Sequence, residues 1–217
     1  MSIKDKYKVE SIKPFETYDW LKNKHYAKRI PPISYAFGLF QGNVLNGVCC
    51  FGIPASRFEN IKQPYELNRL VINDDLDKNV LSYFVSNCLK LFPKNNIIVS
   101  YADPNNGHHG YIYQATNWIY MGKSCPHNDW YIDGKLLHEK TIFNMYGTCS
   151  VKSLKKKGIN ITYKKTLAKH RYFYFTGTKK QKQFLLNSLK YKIEPYPKGQ
   201  NKRYDASYEP KVQLKMF

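Results

Sequence analysis

The sequence predicts an α/β domain, a mixed sheet flanked by helices over residues 1–190, followed by a basic, irregular extension over residues 191–217. Three observations carry this reading. Residues 65–118 alternate strand and helix patterns twice, a hairpin pattern over residues 33–51 precedes them, and the stretch Ile97 to Trp118 has the form of a sheet edge that meets a ligand. That stretch opens with Ile97, Ile98 and Val99, an apolar run that suits a strand covered on both faces in a mostly parallel sheet. It then turns polar at Asp103, and Pro104, Asn105, Asn106 and Gly107 form a turn with Asn105 or Asn106 placed to cap a helix from about His108 to Trp118. Strand-end side chains and free helix N–H groups converge at such a junction.

In chain order, Tyr7–Lys13 alternates weakly as a first strand, and Pro14 introduces a helical stretch from Phe15 to about Lys24. The double proline of HYAKRIPP, residues 25–32, stops that helix. Ile33–Phe40 and Val44–Phe51 pair as a hairpin around Gln41, Gly42 and Asn43. Tyr65–Ile72 is a strong strand whose alternation puts Leu67, Arg69 and Val71 on one face. An arginine among apolar neighbours needs a carboxylate, phosphate or carbonyl partner. Asn79–Phe92 has helical apolar spacing and feeds the strand at Ile97. Further on, Trp130–Ile132 and Lys135–His138 form a hairpin over Asp133 and Gly134. Glu139–Met145, Ser150–Lys157 and Lys179–Leu189 are helical, and Arg171–Thr176 is a strand.

At 217 residues and 42% hydrophobic, the chain can bury a real core. No apolar run approaches the roughly 18 residues that span a bilayer, and no apolar segment follows the charged N-terminus, so no membrane partner or signal peptide is expected. Five cysteines without CxxC spacing fit a reducing, cytoplasmic setting. Charge is the strongest global signal: 35 Lys and Arg against 16 Asp and Glu give +19. It is lopsided, with 18 basic and 3 acidic residues in 151–217 against 17 and 13 in 1–150. In the basic third, lysines alternate with rings (Tyr163, Tyr172, Phe173, Tyr174, Phe175), a composition suited to phosphates and stacked bases; a solubilising basic tail is the plainer alternative.

Hairpin, strand, helix, strand, helix and late strands is the element order of the Gcn5-related N-acetyltransferase superfamily. Within that order, HYAKRIPP, YAFGLF, GVCCFG, ELNRLVI, VSYAD, GHHGYIYQATNW, IDGK and AKHRY resemble the Mom proteins of Mu-like phages over roughly residues 20–176. The resemblance implies an enzyme that converts adenine in DNA to N6-carbamoylmethyladenine and so protects phage DNA from restriction. It places functional weight on His25, Tyr26, Arg69, Ser100, Asp103 and Tyr113, and it implies iron at some of these positions, for which His25, Tyr26 and Asp103 are the candidate ligands. Ser100, Asp103, Tyr113 and Arg69 form the catalytic set. Tyr113 suits protonation of a leaving group, and Asp103 suits a base, a hydrogen-bond acceptor or a cation ligand, with helix capping as its plainer role.

Arg69, Asn79 and Ser82 are the candidate donor-binding residues. The loop NDDLDKNVLS lacks the glycines that cradle a pyrophosphate and carries three aspartates, which disfavours acetyl-CoA. The product that the resemblance implies, with a methylene on N6 and a terminal amide, points the same way and leaves open a glycyl donor such as a charged tRNA. The DNA partner must present its adenine unpaired or flipped from the duplex, stacked on Tyr26, Tyr101 or Trp118, with Arg57, Arg171, Lys155, Lys156 and Lys157 on the backbone. An acyl- or aminoacyl-transferase acting on a protein or small amine, and a nucleic-acid-binding protein with a dead site, are the alternatives.

Overall fold

In the computed structural model, residues 2–56, 58, 61–137 and 139–199 are described, the side chain of Lys140 apart. Seven strands form the main sheet: β1 (Lys8–Ile12), β2 (Tyr35–Gln41), β3 (Val44–Gly52), β4 (Tyr65–Ile72), β5 (Ile97–Ala102), β6 (Ile119–Lys123) and β10 (His170–Phe175), in the order β1-β2-β3-β4-β5-β10-β6. Every neighbouring pair is antiparallel except β4 and β5, so the sheet is mixed as expected but not mostly parallel. The apolar run at Ile97 reflects a central strand covered on both faces, which periodicity cannot distinguish from a parallel one.

Helices α2 (Val80–Leu91) and α3 (Tyr111–Ala115) cover one face, where Phe84, Cys88, Leu89, Tyr113, Trp118 and Tyr172 meet Leu67, Ile98 and Ala102. The other face carries two separate cores. Trp20 and Leu21 pack on Phe40, Val48, Cys50 and Val71, while Leu185 of α6 (Lys179–Asn187) packs with Ile97, Val99, Met121 and Phe173. The helical stretch expected from Phe15 to about Lys24 is present as one unbroken run whose hydrogen-bond spacing widens along it, from a 3-10 turn, Pro14–Thr17, through Tyr18 and Asp19 to a π-helical turn, Trp20–Lys24. The widened turn, closed by His25 N–H on Trp20 O, aims both Trp20 and Leu21 inward.

A β-bulge changes β4. Cys50 pairs with Arg69 and Phe51 with Leu67, so Asn68 has no partner of its own on β3. Beyond the bulge the faces exchange. Leu67 joins the α2 side while Arg69 lies with Val71 and Cys50 on the other, correcting the single face that strict alternation predicts. Glu66 comes to share the Arg69 face.

Residues 124–169 form a second unit between β6 and β10. A three-stranded antiparallel sheet, β8 (Lys135–Leu137), β7 (Asn128–Ile132) and β9 (Ile161–Lys165), is covered by α4 (Glu139–Tyr146) and α5 (Val151–Lys156) around Ile132, Ile142, Leu154 and Ile161. The expected hairpin at Asp133–Gly134 lies within it, both residues in the left-handed region at φ 48° and 76° as a two-residue hairpin turn demands. Residues 191–199 are irregular and largely exposed but tied to the sheet edge by hydrogen bonds. Glu194 N–H bonds Tyr120 O on the outer edge of β6, Tyr196 Oη donates to Trp118 O, and Gln114 Nε2 donates to Pro197 O.

Candidate active site

The site grows from the point where β4 and β5 separate. These strands pair only at Tyr65 with Ile98 and Glu66 with Val99, although β4 runs on to Ile72 and β5 to Ala102. Past Glu66 the sheet opens into a wedge, and the Leu67 carbonyl finds a side chain instead of a ladder partner. Ser100 Oγ lies 2.7 Å from Leu67 O and 2.7 Å from Tyr113 Oη. A hydroxyl has one proton, so a chain in which Tyr113 donates to Ser100 and Ser100 donates to the carbonyl satisfies all three groups. The Tyr113 ring is fixed between Trp118 and Tyr172, each at 5.1 Å. Burial pushes its phenol well above the ordinary range, more than the Ser100 bond lowers it, so it holds its proton at neutral pH.

Tyr26 stands at the mouth with 42% of its surface exposed, its ring stacked on His25 at 4.4 Å and met edge-on by His108 at 5.7 Å. Its ionisation is disfavoured by burial and then by the Asp103 charge, and Tyr113 in turn feels Tyr26, which links the rim carboxylate to the buried phenol. His25 is buried, and burial followed by the Arg69 charge pushes it down to about 3, so its ring is neutral. Its Nδ1 accepts the Ala27 N–H at 3.0 Å, which leaves the proton on Nε2. Arg69 donates to Asn68 O at 2.6 Å and Arg29 O at 3.3 Å, meeting the expected need for a partner through carbonyls.

Two carboxylates in the site have opposite environments. Asp103 Oδ1 accepts from Asn105 N (2.9 Å) and Nδ2 (2.7 Å), and Oδ2 pairs with Lys169 Nζ at 3.2 Å. Burial alone would raise Asp103, but these partners outweigh it and hold the carboxyl below its usual range. The residue therefore caps the 3-10 turn Pro104–Asn106, while the helix that follows starts from Gly110 with no side-chain cap, so neither Asn105 nor Asn106 caps it as expected. Helix α3 is correspondingly short, Tyr111–Ala115 in place of His108–Trp118, because Gly107 and Gly110 take left-handed φ of 71° and 84° and break the chain between them. The Glu66 carboxylate has no hydrogen bond or ion pair among the described residues, its backbone alone pairing with Gly52 and Val99. Burial raises its carboxyl, and the charges of Arg69 and Lys169 only partly oppose that.

The structure thus gathers Tyr26, Arg69, Ser100, Asp103 and Tyr113 around one wedge and adds Glu66 and Lys169. Sequence reasoning missed both: Glu66 reads as the outward residue of an alternating strand until the bulge is known, and Lys169 is one lysine among many. Other candidates fall elsewhere. Trp118 is fully buried against Tyr113 and Tyr174, so it cannot stack on a base. Tyr101 is half-buried, pushed up to about 12 by burial and the Glu66 charge. Arg171 donates to Met121 O at 2.8 Å and stacks on the Tyr191 ring at 3.7 Å, a structural use in place of a phosphate contact. Lys155, Lys156 and Lys157 are exposed on the inserted unit, and Arg57 lies outside the described residues.

Of the donor-binding candidates, Ser82 Oγ donates to Asn79 O at 2.9 Å at the start of α2, and Asn79 is left-handed at φ 69°. Asp77 pairs with Lys6 at 2.6 Å and Asp74 with the buried Lys24 at 3.4 Å. Ser82 also lines an open groove of about 390 Å³ along α2, with Lys4, Ser86 and Lys90. For iron, the donor atoms of His25, Tyr26 and Asp103 suit the metal in kind but not in arrangement. Both Asp103 oxygens and His25 Nδ1 are already engaged, and no group of three His, Cys, Asp or Glu that could hold a metal is found among the described residues. Nor is any helix among the described residues long and apolar enough to cross a membrane.

Against known proteins, residues 6–198 match the Mom protein family. The methylcarbamoylase mom of Escherichia phage Mu is 30% identical over 210 residues, covering 88% of this chain and 83% of that protein. Among solved structures, a histone acetyltransferase HPA2 and related acetyltransferase from Corynebacterium glutamicum aligns with a TM-score of 0.46 at 8% identity, over 80% of this chain and 98% of that one. A GNAT-family acetyltransferase from Bacillus cereus aligns at 0.40 and 10% identity, over 79% and 99%. With its matched residues spanning the inserted unit as well as the wedge, the chain belongs to the Mom protein family.

Proposed function

We propose that this protein is a DNA-modifying transferase that converts adenine to N6-carbamoylmethyladenine, acting in the cytoplasm of a phage-infected or prophage-carrying bacterium and shielding DNA from restriction. The observation that supports it most is the proton chain from Tyr113 through Ser100 to Leu67 O, at the point where β4 and β5 part beside Glu66, in a chain related to a methylcarbamoylase. The target adenine leaves the duplex and stacks on Tyr26, the site ring with an exposed face. Its N6 attacks the donor carbonyl carbon; the N6–C bond forms, Glu66 takes the N6 proton, and the carbon–oxygen bond to the leaving group breaks. Tyr113 gives its proton to the departing oxygen, and the Ser100 hydroxyl turns from Leu67 O to the phenolate. Asp103, held ionised, keeps Lys169 in place beside Glu66.

The donor in this reading is a glycyl ester of tRNA. A glycyl group has the same atoms as a carbamoylmethyl group, so transfer balances without a further reactant when an isomerisation follows in which the N6–carbonyl and methylene–amine C–N bonds break and N6–methylene and carbonyl–amide C–N bonds form, whereas an acetyl group lacks the nitrogen. The purified protein, given duplex DNA and glycyl-tRNA, should label adenine from the glycyl carbons. Labelling from acetyl-CoA with no tRNA present would overturn the donor.

A further inference from the structure

Residues 124–169 contain 9 lysines, no arginine and 3 acidic residues. Within them Lys135, Lys152, Lys155, Lys156, Lys164 and Lys165 are exposed, and none makes an ion pair among the described residues. Lys169, where the unit meets β10, instead faces Asp103. A small unit with crowded, unneutralised cations carries a repulsion that a polyanion relieves, with release of its counterions. Tyr163 on β9 is half exposed and rests against Trp130 at 5.3 Å, a ring pair with one open side at the same strand end as Lys164 and Lys165.

The unit is also tied to the wedge. Leu167 N–H bonds Asn105 Oδ1 at 3.3 Å, Ser124 N–H bonds Lys169 O at 2.8 Å, and Lys169 reaches Asp103. Strand β9 therefore runs within a few residues into the loop that holds the site carboxylate, which fixes the distance between its lysines and a base in the wedge.

Resting on the DNA reading above, we propose that this inserted sheet grips the duplex backbone beside the extruded adenine, with Lys164 and Lys165 of β9 and Lys155 and Lys156 of α5 on phosphates and Tyr163 stacked against an exposed sugar or base. Duplex DNA suits this surface better than the donor's tRNA. The target strand must pass through the mouth that the unit borders at Leu167 and Lys169.

The test is titration of a short fluorescein-labelled duplex and, separately, of a labelled tRNA against wild-type protein and the pairs K164E/K165E and K155E/K156E, across a salt series, with melting curves as a folding control. Each pair should bind about tenfold more weakly and lower the slope of log Kd against log salt by about two. Wild-type affinity in both pairs would overturn the proposal, as would a loss confined to tRNA with duplex binding unchanged. The readout needs no catalysis. Lysine-dependent duplex binding by a protein that leaves adenine unmodified would preserve the grip and sink the activity.

Discussion

The wedge and the inserted sheet use charge in opposite ways. In the wedge, charged and titratable groups are few, half-buried and individually positioned: Asp103 is fixed by three contacts, and Glu66 is left bare beside two cations. On the inserted sheet, lysines are many, exposed and interchangeable. Sites that move protons need the first arrangement, because each pKa depends on one specific neighbourhood. Surfaces that hold a polymer need the second, because affinity sums over contacts. Substitutions in the wedge should therefore change chemistry without affinity, and those on the sheet the reverse.

The largest effect should come from Tyr113→Phe, which removes the proton donor while keeping the ring between Trp118 and Tyr172. A fall of about a thousandfold in turnover, with unchanged duplex affinity, is expected from single-turnover kinetics and titration. An equal loss in both would mean that the phenol serves binding and that the two regions are not separate. Next comes Glu66→Gln, expected to cost about a hundredfold at neutral pH. Wild-type activity should rise with pH through the raised Glu66 pKa, and the variant's profile should lack that limb. A raised carboxyl binds its proton more tightly in the folded state than in the unfolded one, so stability is lost as pH rises through that range. Glu66→Gln removes the loss, and its melting temperature at pH 7 should be no lower than that of the wild type.

The paired lysine reversals on the inserted sheet follow, at about tenfold in Kd, with turnover at saturating DNA unchanged. The smallest effect concerns acid. The folded-state pKa of His25, about 3, lies below its ordinary 6.5, so stability should drain away as pH falls between those values, when the unfolded chain takes a proton that the native ring refuses. Denaturant midpoints of His25→Phe should vary less over that window than those of the wild type.

How much was legible follows from which forces act locally. The hairpin at Gly42, strands β4 and β5, helix α2 and the turn at Asp133–Gly134 were readable because turn chemistry and apolar spacing fix them over a few residues. Strands β6 and β9 were not, since Ile119–Lys123 is short and Ile161–Lys165 is polar in four of its five side chains. The bulge at Asn68 has no signature in YELNRLVI, and it decides the faces of Leu67, Glu66 and Arg69. Site residues named through the family resemblance do converge on the wedge. Trp118 and Arg171 do not, because ring and charge content cannot tell a core side chain from a surface one.

If the wedge transfers a glycyl group to adenine N6 in DNA, nucleoside mass spectrometry of producing cells reads the product. DNA from cells producing the wild-type protein should contain N6-carbamoylmethyladenine, and DNA from cells producing Tyr113→Phe should contain little or none. Adenine of ordinary mass throughout the wild-type sample, with the protein folded and abundant, would contradict the account and turn attention to a protein or small-amine acceptor.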